Sequence, residues 1–182
     1  MSETFEPALL VSMPQMQDPN FARSVVLLCD FAPEGAFGLV LNRPTDNPAS
    51  SMVRLEPSLV ATNALPLCVG GPVEPERGWI LIGEPPGDAD YRTIREGVYL
   101  STSPQLLREV LTASPAPRAR VLAGYAGWGP GQLDVELAHS AWLIGSVDAD
   151  LVFDVDADLM WETAIRRLGA DPSSLQMSHG VH

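Results

Sequence analysis

The sequence predicts a mixed α+β protein, and three observations predict it. Short runs of β-branched and aliphatic residues, closed by glycine and proline, fill the first half of the chain. In the second half, amphipathic stretches with capping residues alternate with further strand-like runs. Hydrophobic residues make up 46% of the chain against 19% charged, enough to furnish a core. A chain of 182 residues falls within the size of one domain. No internal repeat or long linker divides it, so residues 1–182 are expected to form one domain.

In chain order, the clearest strands are Val25 to Cys29, Phe37 to Leu41, Leu67 to Val69 and Trp79 to Ile82. Pro33-Glu34-Gly35 and Gly70-Gly71-Pro72 supply turn chemistry between them, glycine for positive φ and proline for a preset φ. The stretch from Thr45 to Pro66 offers apolar Met52, Val53, Leu55, Leu59 and Val60, but Pro57 interrupts a helix, leaving a short helix or an irregular loop. Gly87 to Asp90 reads as an exposed loop before a strand from Gly97 to Ser101. Ser103 and Pro104 are an N-cap and a first helical residue, followed by a stripe of Leu106, Leu107, Val110 and Leu111. Arg120 to Ala123 reads as a strand. Pro130 opens a second helix with Leu133, Leu137 and Ala141 on one face. Trp142 to Val147 and Leu151 to Phe153 are strand-like. A last helix runs from about Ala157 to Leu168, with Asp156 as candidate cap, Arg166 and Arg167 in the final turn and Gly169 closing it.

Composition excludes several chemistries. Net charge is −12, and the sequence holds no lysine, so an amine for a Schiff base or a P-loop is missing. The same acidity repels phosphate, so direct nucleic-acid binding is disfavoured. No apolar run approaches the ~20 residues of a membrane span, and the N-terminus carries acid where a secretory signal needs base, so a cytoplasmic location is expected. Cys29 and Cys68 lie far apart among apolar neighbours, the setting of buried free thiols.

Six segments together carry a resemblance. They are Met13 to Val26 (with Asp18-Pro19-Asn20-Phe21), Gly38-Leu39-Val40-Leu41-Asn42-Arg43-Pro44, Gly70-Gly71-Pro72-Val73, Tyr99 to Ser103, Gly124-Tyr125-Ala126-Gly127-Trp128-Gly129-Pro130-Gly131-Gln132-Leu133, and Ser140-Ala141-Trp142-Leu143. In this order, over nearly the whole chain, they resemble the AlgH/YqgE family of bacterial proteins. The resemblance implies a bifurcated mixed β-sheet rolled into a pseudo-barrel, with about three α-helices packed outside. It carries over no catalytic residue, since members are left uncharacterised or labelled transcriptional regulators. The tail from Met177 to His182 matches the family only loosely.

Two constellations are candidates for ligand binding. Gly124 to Gly131 joins a strand to a helix, the setting in which backbone N–H groups cradle an anion. Against that, Pro130 removes a donor; the plainer reading has Trp128 plugging the core and Gln132 tying the loop, while the ligand reading takes Gly127, Trp128 and Gln132 as candidate binding residues. Asp18, Arg23, Asn42 and Arg43 sit beside strand ends. They form either an internal brace of turn and backbone bonds or a pocket in which an arginine clamps a carboxylate or phosphate.

Other patterns fail. Asp148, Asp150, Asp154, Asp156 and Asp158 invite a calcium loop, but the positions that need glycine and glutamate hold Leu159 and Ile165. His139 has no nucleophile motif near it and reads as a surface or partly packed residue. The sequence therefore assigns no catalytic residue, metal or cofactor. Its leading functional reading is a non-enzymatic regulatory or interaction module with a protein partner. The rivals are a small-molecule binder or cryptic enzyme around Arg23, Asn42, Arg43 and the glycine loop, and a regulator acting directly on DNA.

Overall fold

A computed structural model describes residues 5–52, 61–87 and 89–171. Its frame is a ten-stranded sheet: β1 (Ala8–Ser12), β2 (Val25–Ala32), β3 (Gly35–Val40), β4 (Pro44–Pro48), β5 (Pro66–Val69), β6 (Val73–Ile82), β7 (Arg92–Arg95), β8 (Val98–Ser101), β9 (Ala119–Trp128) and β10 (Trp142–Gly145). The helices are α1 (Pro104–Thr112), α2 (Gln132–Ala138), α3 (Ala149–Phe153) and α4 (Ala157–Arg167), with a 3-10 turn at Ala49–Met52.

The main path runs β10-β1-β2-β3-β9-β6-β8-β7 and forks at β9. The C-terminal half of β9 pairs antiparallel with β3, Phe37 opposite Gly127; its N-terminal half pairs in parallel with β5, Cys68 opposite Leu122. The two branches meet at Gly70, which donates to the Ala123 carbonyl and accepts from the Val40 N–H, both at 2.8 Å. This is the bifurcated, mixed sheet that the resemblance implied, curled into a half-barrel.

The period-2 alternation of strand side chains divides the core in three. Val25, Leu27 and Cys29 of β2 face the interior with Leu39, Leu81, Leu100 and Leu122, and α3 and α4 close that space with Leu151, Val152, Met160, Trp161 and Ile165. Val26 and Leu28 face the opposite way, into a cluster with Trp128, Leu133 and Trp142. Ile80 and Val121 meet the stripe of Leu106, Leu107, Val110 and Leu111 on α1. Both faces of β2 are thus covered, which is why Val25 to Cys29 reads as an unbroken apolar run.

Two ladders carry bulges that bear on the site. Between β2 and β3 the register jumps so that Cys29 is the extra residue. Between β6 and β9, Val73 lies opposite Tyr125 and Gly78 opposite Ala123, so Glu74 to Arg77 bow outward across from Gly124 alone. Gly124 (φ +80°) and Gly71 make this possible: a Cβ at Gly124 would collide with the Gly71 carbonyl, and one at Gly71 with the backbone of Tyr125.

Several elements differ from expectation. Leu151 to Phe153 is helical: Val152 N–H donates to the Asp148 carbonyl at 3.0 Å and Asp154 N–H to that of Asp150 at 2.8 Å. With no strand alongside, the local helical bonds satisfy the backbone while Leu151 and Val152 still reach the core. The preceding strand stops at Gly145. Helix α2 starts at Gln132, not Pro130, because Gly131 takes a left-handed φ of 73°, and Ala141 lies beyond its end. Asp156 occupies the N-cap position of α4 without a side-chain bond. Strands β1, β4 and β7 have no counterpart in the sequence reading. Of the ambiguous Thr45 to Pro66 stretch, residues 53–60 lie outside the described residues, as do Asp88 and the Met177 to His182 tail.

Candidate functional site

The structure places Asp18, Arg23, Asn42 and Arg43 at one end of β2, with Asn42 buried, Arg43 half-buried, and Asp18 and Arg23 exposed. Asn42 Oδ1 accepts the Val25 N–H at 3.0 Å and its Nδ2 donates to the Arg23 carbonyl at 2.9 Å, so one buried amide ties β2 to the segment after β3. Arg43 donates to the carbonyls of Ala22 and Asn42. Burial holds its pKa below the usual arginine value. Asp18 Oδ1 accepts from Asn20 N–H at 2.9 Å, an Asx turn. Arg23 also reaches outward: its guanidinium lies 4.2 Å from the Trp161 ring and 3.2 Å from Glu162 Oε1.

In the glycine loop, Gly129 N–H donates to Gln132 Oε1 at 3.0 Å, and Gln132 passes the contact on to Glu136 Oε2 at 3.1 Å. Glu136 Oε1 accepts two indole N–H groups, from Trp128 at 3.1 Å and Trp142 at 2.9 Å. Phe21 stacks on Trp128 with ring centroids 6.1 Å apart and meets Trp142 edge-on at 5.7 Å. Trp128 thus seals the core with its nitrogen satisfied. Glu136 thereby anchors the loop.

Among the described residues a large cleft lies elsewhere, and of the sequence candidates only Gly127 and Trp128 line it. It has a volume of about 900 Å³ and is walled by β3, β6 and β9 on one side and by the approach to β7 on the other. Phe37, Trp79 and Tyr125 make its floor, with ring centroids 4.9 to 6.1 Å apart and all three pairs tilted or edge-to-face. Each comes from a different strand, so no spacing in the sequence announces them. The turn signal at Gly70-Gly71-Pro72 marks only the outward bow beside them.

Most polar groups at the cleft already have partners. Arg92 forks onto Asp30 at 2.7 and 2.9 Å and donates to the Cys29 carbonyl at 2.6 Å. The Tyr125 hydroxyl donates to Glu74 Oε2 at 2.7 Å, which raises its pKa. Ser101 Oγ donates to the Asp90 carbonyl at 2.7 Å and accepts from Ser103 N–H. Arg77 lies 4.6 Å from the Trp79 ring centroid and 3.7 Å from Glu74. Trp79 Nε1 is buried without an acceptor. The lining includes neither histidine nor cysteine.

The remaining candidates fall outside the cleft. His139 is exposed at the end of α2, its Nδ1 2.8 Å from the Val135 carbonyl. Of the aspartate run, Asp150 pairs with Arg167 and Asp154 with Arg118, both at 2.7 Å. Arg167 holds the Asp150 carboxyl below its ordinary pKa. Among the described residues, no three His, Cys, Asp or Glu side chains converge as a metal site.

A forked, half-barrel α+β protein with an aromatic cleft is the class these features define, and comparison with known proteins gives its family. Residues 9–173 match the AlgH-like family, DUF179, and the chain belongs to it. It is 38% identical over 178 residues to a UPF0301 protein of Myxococcus xanthus, covering 97% of each chain. It is 36% identical over 176 residues to UPF0301 protein SPO0296 of Ruegeria pomeroyi, covering 94% of this chain and 96% of that one. The solution structure of the AlgH protein from Pseudomonas aeruginosa superposes with a TM-score of 0.75 at 31% identity, covering 97% of both chains. Protein DIP2367 from Corynebacterium diphtheriae shares the fold, with a TM-score of 0.67 at 23% identity, covering 91% of this chain and 88% of that one.

Proposed function

We propose that this chain is a non-enzymatic interaction module, one domain in the cytoplasm, which receives a segment of a partner protein in the aromatic cleft. The observation that carries this is the character of the lining: an aromatic floor beside which Asp30, Arg92, Tyr125 and Ser101 are already paired within the protein. A small polar metabolite is held by a few convergent free donors and acceptors. Here Arg92 pairs with Asp30, the Tyr125 hydroxyl with Glu74 and the Ser101 hydroxyl with the Asp90 carbonyl instead. What the cleft offers an incoming group is apolar area and ring faces, the substance of protein hot spots.

Other observations support parts of this reading. Net charge of −12 disfavours the rival in which the chain grips DNA directly. Cys29 and Cys68 are free and buried, in keeping with a reducing compartment. Among the described residues no helix is long and apolar enough to cross a membrane. The rival pocket at Arg23, Asn42 and Arg43 has less support, because Asn42 and Arg43 direct their donors to backbone carbonyls.

The test fills the cleft. Gly127 is exposed on its wall, and a Cβ there would meet only ordinary contacts, 3.6 Å from Tyr125 and 3.7 Å from Val73. Peptides selected on the full chain from a random displayed library should bind the wild type and lose binding to Gly127→Trp at unchanged melting temperature. Tyr125→Ala serves as a second cleft variant. Peptides that bind both cleft variants as well as the wild type, or native mass spectra showing a metabolite held through Arg43, would overturn the proposal.

A further inference from the structure

We infer that the cleft selects a basic segment, seating a partner's arginine side chain on the indole face of Trp79 with Glu34 and Asp90 as its counter-charges. This rests on the protein-binding reading of the cleft and adds the chemistry of the occupant.

The charges of the cleft sort into three groups. Arg92 and Asp30 neutralise each other through a bidentate fork. Glu74 accepts the Tyr125 hydroxyl and holds Arg77 by an ion pair of 3.7 Å. Glu34 and Asp90 remain; both line the cleft, both are exposed, and their side chains have no cationic partner among the described residues. The surplus is negative, in a protein of net charge −12. An anion is repelled there, a neutral group draws nothing from these carboxylates, and a cation is attracted.

The floor itself shows which cation fits. Arg77 lies 4.6 Å from the Trp79 centroid, so this indole face already receives a guanidinium. Trp79 is only 7% exposed, packed by Phe37 and Tyr125, with Arg77 among the groups that cover its ring. This arginine cover is lightly held: its side chain is 52% exposed and its one ion pair is long. A competing guanidinium exchanges with it at small cost, since exposed cation–π and ion pairs are each weak. Arginine suits the site better than lysine because a planar guanidinium stacks on the ring.

The experiment uses the full chain and blocked nonapeptides with randomised flanks and a fixed centre of arginine, norleucine or glutamate. Binding is followed by the Trp79 indole and Gly127 amide resonances. The arginine set is expected to move both, with affinity at least about ten-fold above the norleucine set and no binding by the glutamate set. Removing the cover by Arg77→Gln should strengthen arginine-peptide binding about three- to five-fold. Glu34→Gln and Asp90→Asn should each weaken it about two- to five-fold, and added salt should erase the difference. Equal binding of norleucine and arginine sets at these resonances would sink the basic-segment inference and leave the protein-binding reading standing. Preference for glutamate, with binding lost in Arg77→Gln, would reverse the inference. Failure of every set to move a cleft resonance would remove both.

Discussion

Arg92 closes the half-barrel where hydrogen-bonded strands do not. Strand β7 ends the path, and β2 lies inside it, but β1 pairs with β2 only as far as Leu28, so the Cys29–Ala32 end of β2 has β3 alone beside it and does not pair with β7. Arg92 spans the gap with two bonds to Asp30 and one to the carbonyl of Cys29, the extra residue of the β2 bulge. Arg92→Ala removes all three. The ion pair is about half exposed, 45% and 55% on its two sides, so solvent screening limits it to about 1 kcal/mol even with bidentate geometry. The charge-assisted bond to a part-buried carbonyl adds about 1 kcal/mol after the same discount. A loss of about 1.5–2 kcal/mol corresponds to roughly a 10- to 30-fold rise in local opening. Cys29 reports on it. Burial pushes its thiol up to about 12, so at neutral pH a thiol reagent reacts through the opened form. Peptide-resolved labelling at pH 8 should show Cys29 reacting about ten-fold faster in Arg92→Ala, with Cys68 unchanged. Arg92→Lys, which keeps charge without the fork, should fall between. Equal acceleration of both cysteines would show that Arg92 supports the whole fold and closes nothing locally; no acceleration at Cys29 would refute the clamp outright.

Three further outcomes are expected. Because Cys29 stays protonated in the fold up to about 12, its stabilising effect is complete below the free-thiol pKa and is lost as pH rises through the folded value. Unfolding free energy should therefore fall by up to about 1.4 kcal/mol per pH unit between about 9 and 12. Cys68 and Tyr125 act in the same direction, and Cys29→Ala should flatten the denaturation midpoint curve in that window. Glu136→Ala, which orphans two indole N–H groups, should lower stability by about 2–3 kcal/mol in urea unfolding, and Glu136→Gln by about half as much. Gly131→Ala and Gly124→Ala both place a side chain at positive φ, costing about 1 kcal/mol. Only Gly124→Ala adds a backbone collision, so its melting temperature should drop far more, or the variant should fail to accumulate as soluble protein.

Local signals that outweigh their surroundings were readable in the chain. The Ser103 cap, whose Oγ accepts the Leu106 N–H at 3.2 Å, needs only its own helix. The runs Val25 to Cys29 and Trp79 to Leu81 are apolar because the sheet is buried on both faces there. The structural side of the Asn42 and Arg43 reading was also within reach, since buried polar groups at strand ends must find partners. Leu151 to Phe153 misled because three apolar residues cannot distinguish strand from helix by period alone. Strand β7 was hidden for a related reason: only Ile94 of Arg92–Arg95 is buried, so three charged or polar residues mask an edge strand.

The sequence by itself determined the family, the mixed α+β class, the absence of lysine and the acidic balance, because each is either composition or a local pattern. Tertiary structure alone decided where the cleft is. Phe37, Trp79 and Tyr125 stand on three strands and become one floor only through the fork at β9, and Arg92 meets Asp30 only because the sheet curls. Contacts between residues this far apart depend on register and curvature, which are set by bulges and by glycines whose backbones touch, and no run of neighbouring residues encodes them.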